Sequence, residues 1–164
     1  MDTKIKILIV DGDKKIASSL EEAITRYDKS CQCVKLINAE ESMLRLGEGF
    51  DCAVINYELP TISGLSLCEY IKAKSFGFPV ILYTRKARED VGLAAVKLGI
   101  DEYIPRIKDT YDFFPYIVFN IIYRRAYTEY AVNTRFLKDA LFTASEMMGS
   151  DIPTDAILNQ SLKL

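Results

Sequence analysis

KIKILIVDGDKKIASSLEEAITRY, residues 4–27, decides the fold. Its opening run, 4–10, is apolar and ends in an acidic turn, as expected of a central parallel strand buried on both faces. From Lys14 to Tyr27 the apolar residues Ile16, Leu20, Ala23, Ile24 and Tyr27 recur at helical spacing. Asp13 stands just ahead of them, where its side chain caps the first turn. Strand, acidic turn and capped helix make the first βα unit of a parallel sheet.

The rhythm continues along the chain. Residues 31–37 (CQCVKLI) alternate like a strand, and Ala39 to Leu46 reads as a short helix stopped by Gly47. CAVIN (52–56) is a strand, followed by a loop with Pro60 and Gly64 and a helix over Leu65 to Lys72. FPVILYT (78–84) is another buried strand, Arg88 to Leu98 a helix ended by Gly99, and EYIP (102–105) a short fifth strand. Parallel strands need right-handed helical crossovers, so the fold class is α/β, a five-stranded, doubly wound parallel sheet. Residues 1–125 are assigned to this domain and 126–164 to a helical extension or linker.

That extension has its own signature. From Asp112 to Met148 there is no glycine, and the single proline, Pro115, falls where a helix start tolerates it. Tyr116, Tyr123, Tyr130, Leu137 and Ala144 recur every seven residues, as do Phe113, Tyr127, Leu141 and Met148 in a second track broken by Asn120 and Thr134. Two such tracks are the mark of a helix–helix seam, which predicts a homodimer through residues 113–148. The alternative is that the early part packs on the domain itself. Gly149 and Pro153 are expected to break the helix, Thr154 to Leu162 to begin another, and the natural chain to continue beyond Leu164.

Composition narrows the function. Of 164 residues, 49% are hydrophobic and 27% charged, with a net charge of −2, which gives no general pull toward nucleic acid. The Arg124–Arg125 pair reads as a solvated helix face. The N-terminal apolar run has no cleavage site, and the stretch from Phe113 to Tyr123 is too short to span a bilayer. The expectation is a cytoplasmic chain with no membrane or nucleic-acid partner. The four cysteines have no histidine beside them and no CxxC spacing, so they are expected to be buried, reduced and structural.

In an open α/β sheet, the binding site lies beyond the carboxyl ends of the strands. Those ends carry Asp11, Gly12 and Asp13, then Asn56, Thr84 and Arg106. The DGDKK turn lacks the glycine patterns that cradle nucleotides, so a nucleotide cofactor is not expected.

Four blocks, ILIVDGD (7–13), DCAVINYELPTISG (51–64), FPVILYT (78–84) and LGIDEYIPRI (98–107), resemble the motifs of the response-regulator receiver family in order and spacing. The resemblance covers residues 4–125 and implies the flavodoxin-like strand order 2-1-3-4-5. It also implies two acids after the first strand and an aspartate after the third, which bind Mg²⁺, the third-strand aspartate accepting a phosphoryl group. A hydroxyl after the fourth strand, a lysine after the fifth and a switching aromatic complete the set. Asp11, Thr84 and Tyr103 match, as do Pro60 and Gly64. Gly12 replaces the second acid, Asn56 the acceptor, Arg106 the lysine and Ile107 the proline after it.

These departures change the chemistry. A neutral carboxamide is not the carboxylate nucleophile that forms an acyl phosphate. Asp11, Gly12, Asn56 and Arg106 sum to a formal charge of about zero, leaving little to hold Mg²⁺. Glu58 and Arg106 are expected to pair across the pocket and hold Thr84 and Tyr103 in one arrangement. The leading reading is therefore a pseudo-receiver, with no enzymatic activity, no cofactor and a degenerate pocket of Asp11, Asp13, Asn56, Glu58, Thr84 and Arg106. It would act through a signalling partner such as a histidine kinase or an output domain. The alternative is a working phosphorelay acceptor that uses an unusual acid, for which Asp13 is the candidate. Direct DNA regulation is disfavoured, since the chain has no room for a helix-turn-helix unit after the receiver and helix.

Overall fold

The computed structural model describes residues 4–105 and 107–148. Its elements, in chain order, begin with β1 (Lys6–Val10), α1 (Lys14–Tyr27), β2 (Gln32–Leu36) and α2 (Ala39–Arg45). They continue with β3 (Cys52–Asn56), α3 (Gly64–Ala73), β4 (Val80–Tyr83), α4 (Glu89–Lys97), β5 (Glu102–Ile104) and α5 (Phe114–Met148). All neighbouring strands pair in parallel, in the order β2-β1-β3-β4-β5. This is the doubly wound sheet expected from the alternating pattern.

The strands' two-residue period divides the core into two layers. Ile7 and Ile9 of β1, Cys52 and Val54 of β3 and Ile81 and Tyr83 of β4 pack with Ala17, Leu20 and Ile24 of α1 and with Phe114, Val118, Phe119 and Ile121 of α5. The intervening residues, among them Leu8, Val10, Ala53, Ile55 and Leu82, pack with α2, α3 and α4. Because β1, β3 and β4 are covered on both faces, their sequences are continuous apolar runs rather than alternating ones.

Local chemistry sets the boundaries. The Asp13 side chain accepts from the Lys15 amide at 2.9 Å and caps α1, as its position predicted. Gly99, with φ of 66°, ends α4. The expectation for Gly47 needs correcting. The chain passes through it in a 3₁₀ turn (Leu46–Glu48), and the left-handed residue is Gly49, with φ of 75°. Cys31 precedes β2 instead of lying within it, and Tyr27 is exposed at the end of α1. The Tyr27 ring stacks on Phe119 and meets Tyr116 edge-on. Close packing also explains Gly64, where a Cβ would lie 2.0 Å from the Asn56 carbonyl oxygen.

Contacts group the chain into two units, Met1–Ile122 and Tyr123–Leu164. In the first, α5 residues Phe114 to Ile121 complete the core, as the alternative reading of that segment expected. In the second, Tyr127, Tyr130, Val132, Phe136, Leu137 and Phe142 are exposed. The side chains of Leu141, Ala144 and Met148, the break at Gly149 and Pro153, and the helix expected over Thr154 to Leu162 lie outside the described residues. No described helix is long and apolar enough to cross a membrane.

All four cysteines are free thiols. Cys31, Cys52 and Cys68 are buried, while Cys33 is half-buried. Burial pushes the Cys31 thiol up to about 11 and those of Cys33 and Cys68 to about 12, and it raises Cys52 as well. Folding thus protects the neutral thiol. The stabilisation is complete below the ordinary thiol value of 9.0 and is lost as pH rises toward about 12, because the unfolded thiols ionise first. A thiol-reactive chromophore at pH 8 is therefore expected to label the native chain slowly and all four cysteines on unfolding. Unfolding midpoints in urea should fall above pH 9.

Candidate functional site

The same two-residue period that builds the core also assembles the rim. Ile7, Ile9 and Asp11 share one face of β1, Cys52, Val54 and Asn56 the same face of β3, and Ile81, Tyr83 and Arg85 that of β4 and its continuation. Register aligns them: Val10 lies beside Ile55 and Asn56 beside Tyr83. Asp11, Asn56, Tyr83 and Arg85 consequently meet at the carboxyl ends of three adjacent strands.

Asp11 is the centre of this group and is fully buried. Its Oδ1 accepts from the Asp13 amide at 2.8 Å, from Asn56 Nδ2 at 3.1 Å and from Arg85 Nη2 at 3.1 Å. Its Oδ2 accepts from the Tyr83 hydroxyl at 2.5 Å. Burial, then the nearby Asp11 charge, raises the Tyr83 hydroxyl well above the ordinary phenol value, so Tyr83 remains a donor. Burial and Asp11 also raise Tyr111.

Asn56 is committed at both ends. Besides donating to Asp11, Nδ2 donates to the Glu58 carbonyl at 3.3 Å, and Oδ1 accepts from the Glu58 amide at 3.2 Å. The carboxamide therefore closes the β3–α3 loop while bonding the buried anion. An aspartate side chain offers no such donor in its ionised form.

Thr84 and Tyr103 belong to the other layer, since Thr84 falls on the opposite parity of β4. Thr84 Oγ1 donates to the Lys86 carbonyl at 2.7 Å, and the Tyr103 hydroxyl donates to the Arg88 carbonyl at 3.0 Å. Each proton is thus committed to the β4–α4 loop, and the two oxygens lie 3.4 Å apart. Gly92 makes room for the aromatic ring: a Cβ there would lie 3.0 Å from Tyr103 Cε1. Arg88 lies over the Tyr57 ring at 5.0 Å and pairs with Asp90 at 2.8 Å.

The expected pocket is thus gathered only in part. Asp11, Asn56 and the Glu58 backbone come together. Asp13 turns outward to cap α1, with its second oxygen 4.0 Å from Arg85 Nη2. Arg106 lies outside the described residues, and with it the expected Glu58–Arg106 pair. Glu58 Oε2 lies 3.4 Å from the Arg85 amide nitrogen, which donates to it. Tyr83 and Arg85 were missed by sequence reasoning. The signal available was their parity with Ile81, which places both on Asp11's face of the sheet. Ile107, in the place expected for a proline, is fully buried and donates its amide to the Thr84 carbonyl at 3.0 Å.

The donor set does not fit a divalent cation. Both Asp11 oxygens are engaged by protein donors, and Gly12 contributes no ligand. A Cβ at Gly12 would lie 3.2 Å from the Pro60 ring. No described group of three histidine, cysteine, aspartate or glutamate residues is arranged to hold a metal ion.

Comparison with known proteins matches residues 7–111 to the response regulator receiver domain. The regulatory protein VanR of Enterococcus faecium is 30% identical over 102 residues, 62% of this chain and 43% of that protein. The alkaline phosphatase synthesis transcriptional regulatory protein PhoP of Bacillus subtilis is 27% identical over 104 residues, 62% of this chain and 42% of that protein. The chain spans less than half the length of these relatives. Among solved structures, the BeF3-activated DrrB receiver domain superposes with a TM-score of 0.60 at 26% identity, covering 76% of this chain and 98% of that one.

Replacing Asn56 by aspartate is expected to put a second carboxylate where Nδ2 now lies, 3.1 Å from Asp11 Oδ1. Two adjacent buried carboxylates share a proton, so the pair's folded pKa rises above its unfolded value. Stability is then present at low pH and lost as pH rises. Urea unfolding should find Asn56→Asp weaker than the natural chain by about 2 kcal/mol at neutral pH. The gap should narrow toward about pH 4, the ordinary aspartate range. Equal stability of the two chains across that range would contradict the geometry.

Proposed function

The chain belongs to the response regulator receiver domain family, and we propose that it is a signalling module whose contacts with its partner protein do not depend on phosphoryl transfer. The observation that carries this reading is the side chain at position 56. A buried carboxamide stands where the family's motif has its acceptor, and its two ends are bonded to Asp11 and the Glu58 backbone. Acyl phosphate formation needs a carboxylate nucleophile with a free lone pair. Asn56 has neither the charge nor the freedom, so the module performs no chemical step of its own.

The surface around β4 and β5 is the proposed contact face for a histidine kinase or an output domain. The Thr84 and Tyr103 hydroxyls there are tied to loop carbonyls without any phosphoryl group, and α4 exposes Leu93 and Val96. Apolar residues outside the core are what a protein partner would cover. Incubation with Mg²⁺ and acetyl phosphate, read by intact mass, tests the proposal. No phosphoryl adduct is expected. An adduct on any residue overturns the reading, and one mapped to Asp13 would establish the alternative phosphorelay acceptor.

The helical extension is proposed to pair with a second copy of the chain. Tyr127 belongs to one seven-residue track and Tyr130 and Leu137 to the other, and all three are exposed. Light scattering at micromolar concentration should return a dimer mass that Leu137→Glu reduces to a monomer. A monomer mass for the natural chain removes the pairing.

A further inference from the structure

We propose that the Arg85 guanidinium is the resident cation of the Asp11 pocket, held there by its own backbone, and that it excludes divalent metal ions. The proposal rests on the phosphate-independent reading above and supplies the physical reason the pocket needs no metal.

The case begins with charge. Asp11 is a fully buried carboxylate, and such a group requires a compensating positive charge as well as hydrogen bonds. Tyr83, Asn56 and the Asp13 amide supply neutral donors, while Arg85 supplies the charge. Its Nη2 lies 3.1 Å from Asp11 Oδ1 and 4.0 Å from Asp13 Oδ2. One guanidinium nitrogen thus stands between two carboxylates, the place a bridging cation would take. Arginine stays charged at all accessible pH values and has five donors, so it bonds Asp11 and stands beside Asp13 without being stripped of water as a metal ion must be.

Position makes the arrangement durable. Arg85 follows Tyr83 and Thr84 at the end of β4, on the parity that faces Asp11. Its amide lies 3.4 Å from Glu58 Oε2, which anchors the backbone from the β3–α3 loop. A cation tethered this closely acts at a high effective concentration, which a dissolved metal ion has to overcome. The guanidinium side chain keeps 38% of its surface exposed, so the site is open on its outer side. Access therefore does not bar a metal ion; occupancy and like-charge repulsion do.

The test uses Mn²⁺ alone, with no phosphoryl donor, read by paramagnetic broadening of amide NMR signals in the full chain. In the natural protein, the signals of Asp11, Gly12, Asp13 and Asn56 are expected to broaden no more than those of exposed surface acids. Arg85→Ala should gain saturable broadening centred on Asp11 and Asp13, with affinity about ten-fold or more above the natural chain. Arg85→Lys, which keeps a cation, should behave like the natural chain. Arg85→Gln replaces Arg85→Ala if the alanine variant loses its dispersed spectrum, and it is judged by the same result. Saturable Mn²⁺ binding at Asp11 in the natural protein overturns the proposal, as does a folded, neutral Arg85 variant that binds no better. A phosphoryl adduct on a chain that excludes Mn²⁺ would instead refute the functional reading and leave the assignment of Arg85 standing.

Discussion

A carboxylate with no exposed surface has to find its hydrogen bonds inside the protein, and Asp11 finds four. They come from its own turn, from β3 and from β4, so one anion ties together the carboxyl ends of three strands. Left without them, the buried charge would cost several kcal/mol. A hydrogen bond to a charged group contributes about 1.5–3 kcal/mol. The rim is consequently a network centred on one charge, and no member of it can be changed without re-solving the charge at its centre.

Asn56 has to be understood in that setting. Beside a buried anion, a carboxamide is the side chain that donates toward the charge and still accepts from the loop behind it. The backbone carbonyl of Asn56 fills the space a Cβ at Gly64 would need, which brings α3 close against β3. Neutral donors on one side and the Arg85 guanidinium on the other surround the Asp11 carboxylate with partners from within the chain. Every buried side-chain nitrogen or oxygen among the described residues has a hydrogen-bond partner.

Separation of the rim into two clusters is equally physical. Asp11, Asn56, Tyr83 and Arg85 lie on the layer covered by α1 and α5, whereas Thr84 and Tyr103 lie on the layer covered by α4. One residue along β4 takes the chain from one group to the other, so Tyr83 and Thr84, adjacent in sequence, serve different networks. The fold is shared with the receiver family, but function resides in the particular side chains placed at the rim. Here those side chains form hydrogen bonds that leave Thr84 and Tyr103 fastened to the β4–α4 loop.

The sequence by itself determined the sheet, its parallel connections, the Asp13 cap, the glycine at the end of α4 and the strand ends that carry Asp11, Asn56 and Thr84. Those features follow from local periodicity and from residue types whose preferences act within a few positions. Gly47 misled because a helix stop depends on which residue takes the left-handed conformation, and the 3₁₀ turn carried that requirement on to Gly49. Tyr83 and Arg85 were not legible as site residues, because a tyrosine at the end of a buried strand and an arginine in a loop are ordinary in isolation. Only the tertiary structure decided that both point at Asp11. Their role comes from register between β1, β3 and β4, which are distant in sequence, and a buried charge selects its partners by distance in space.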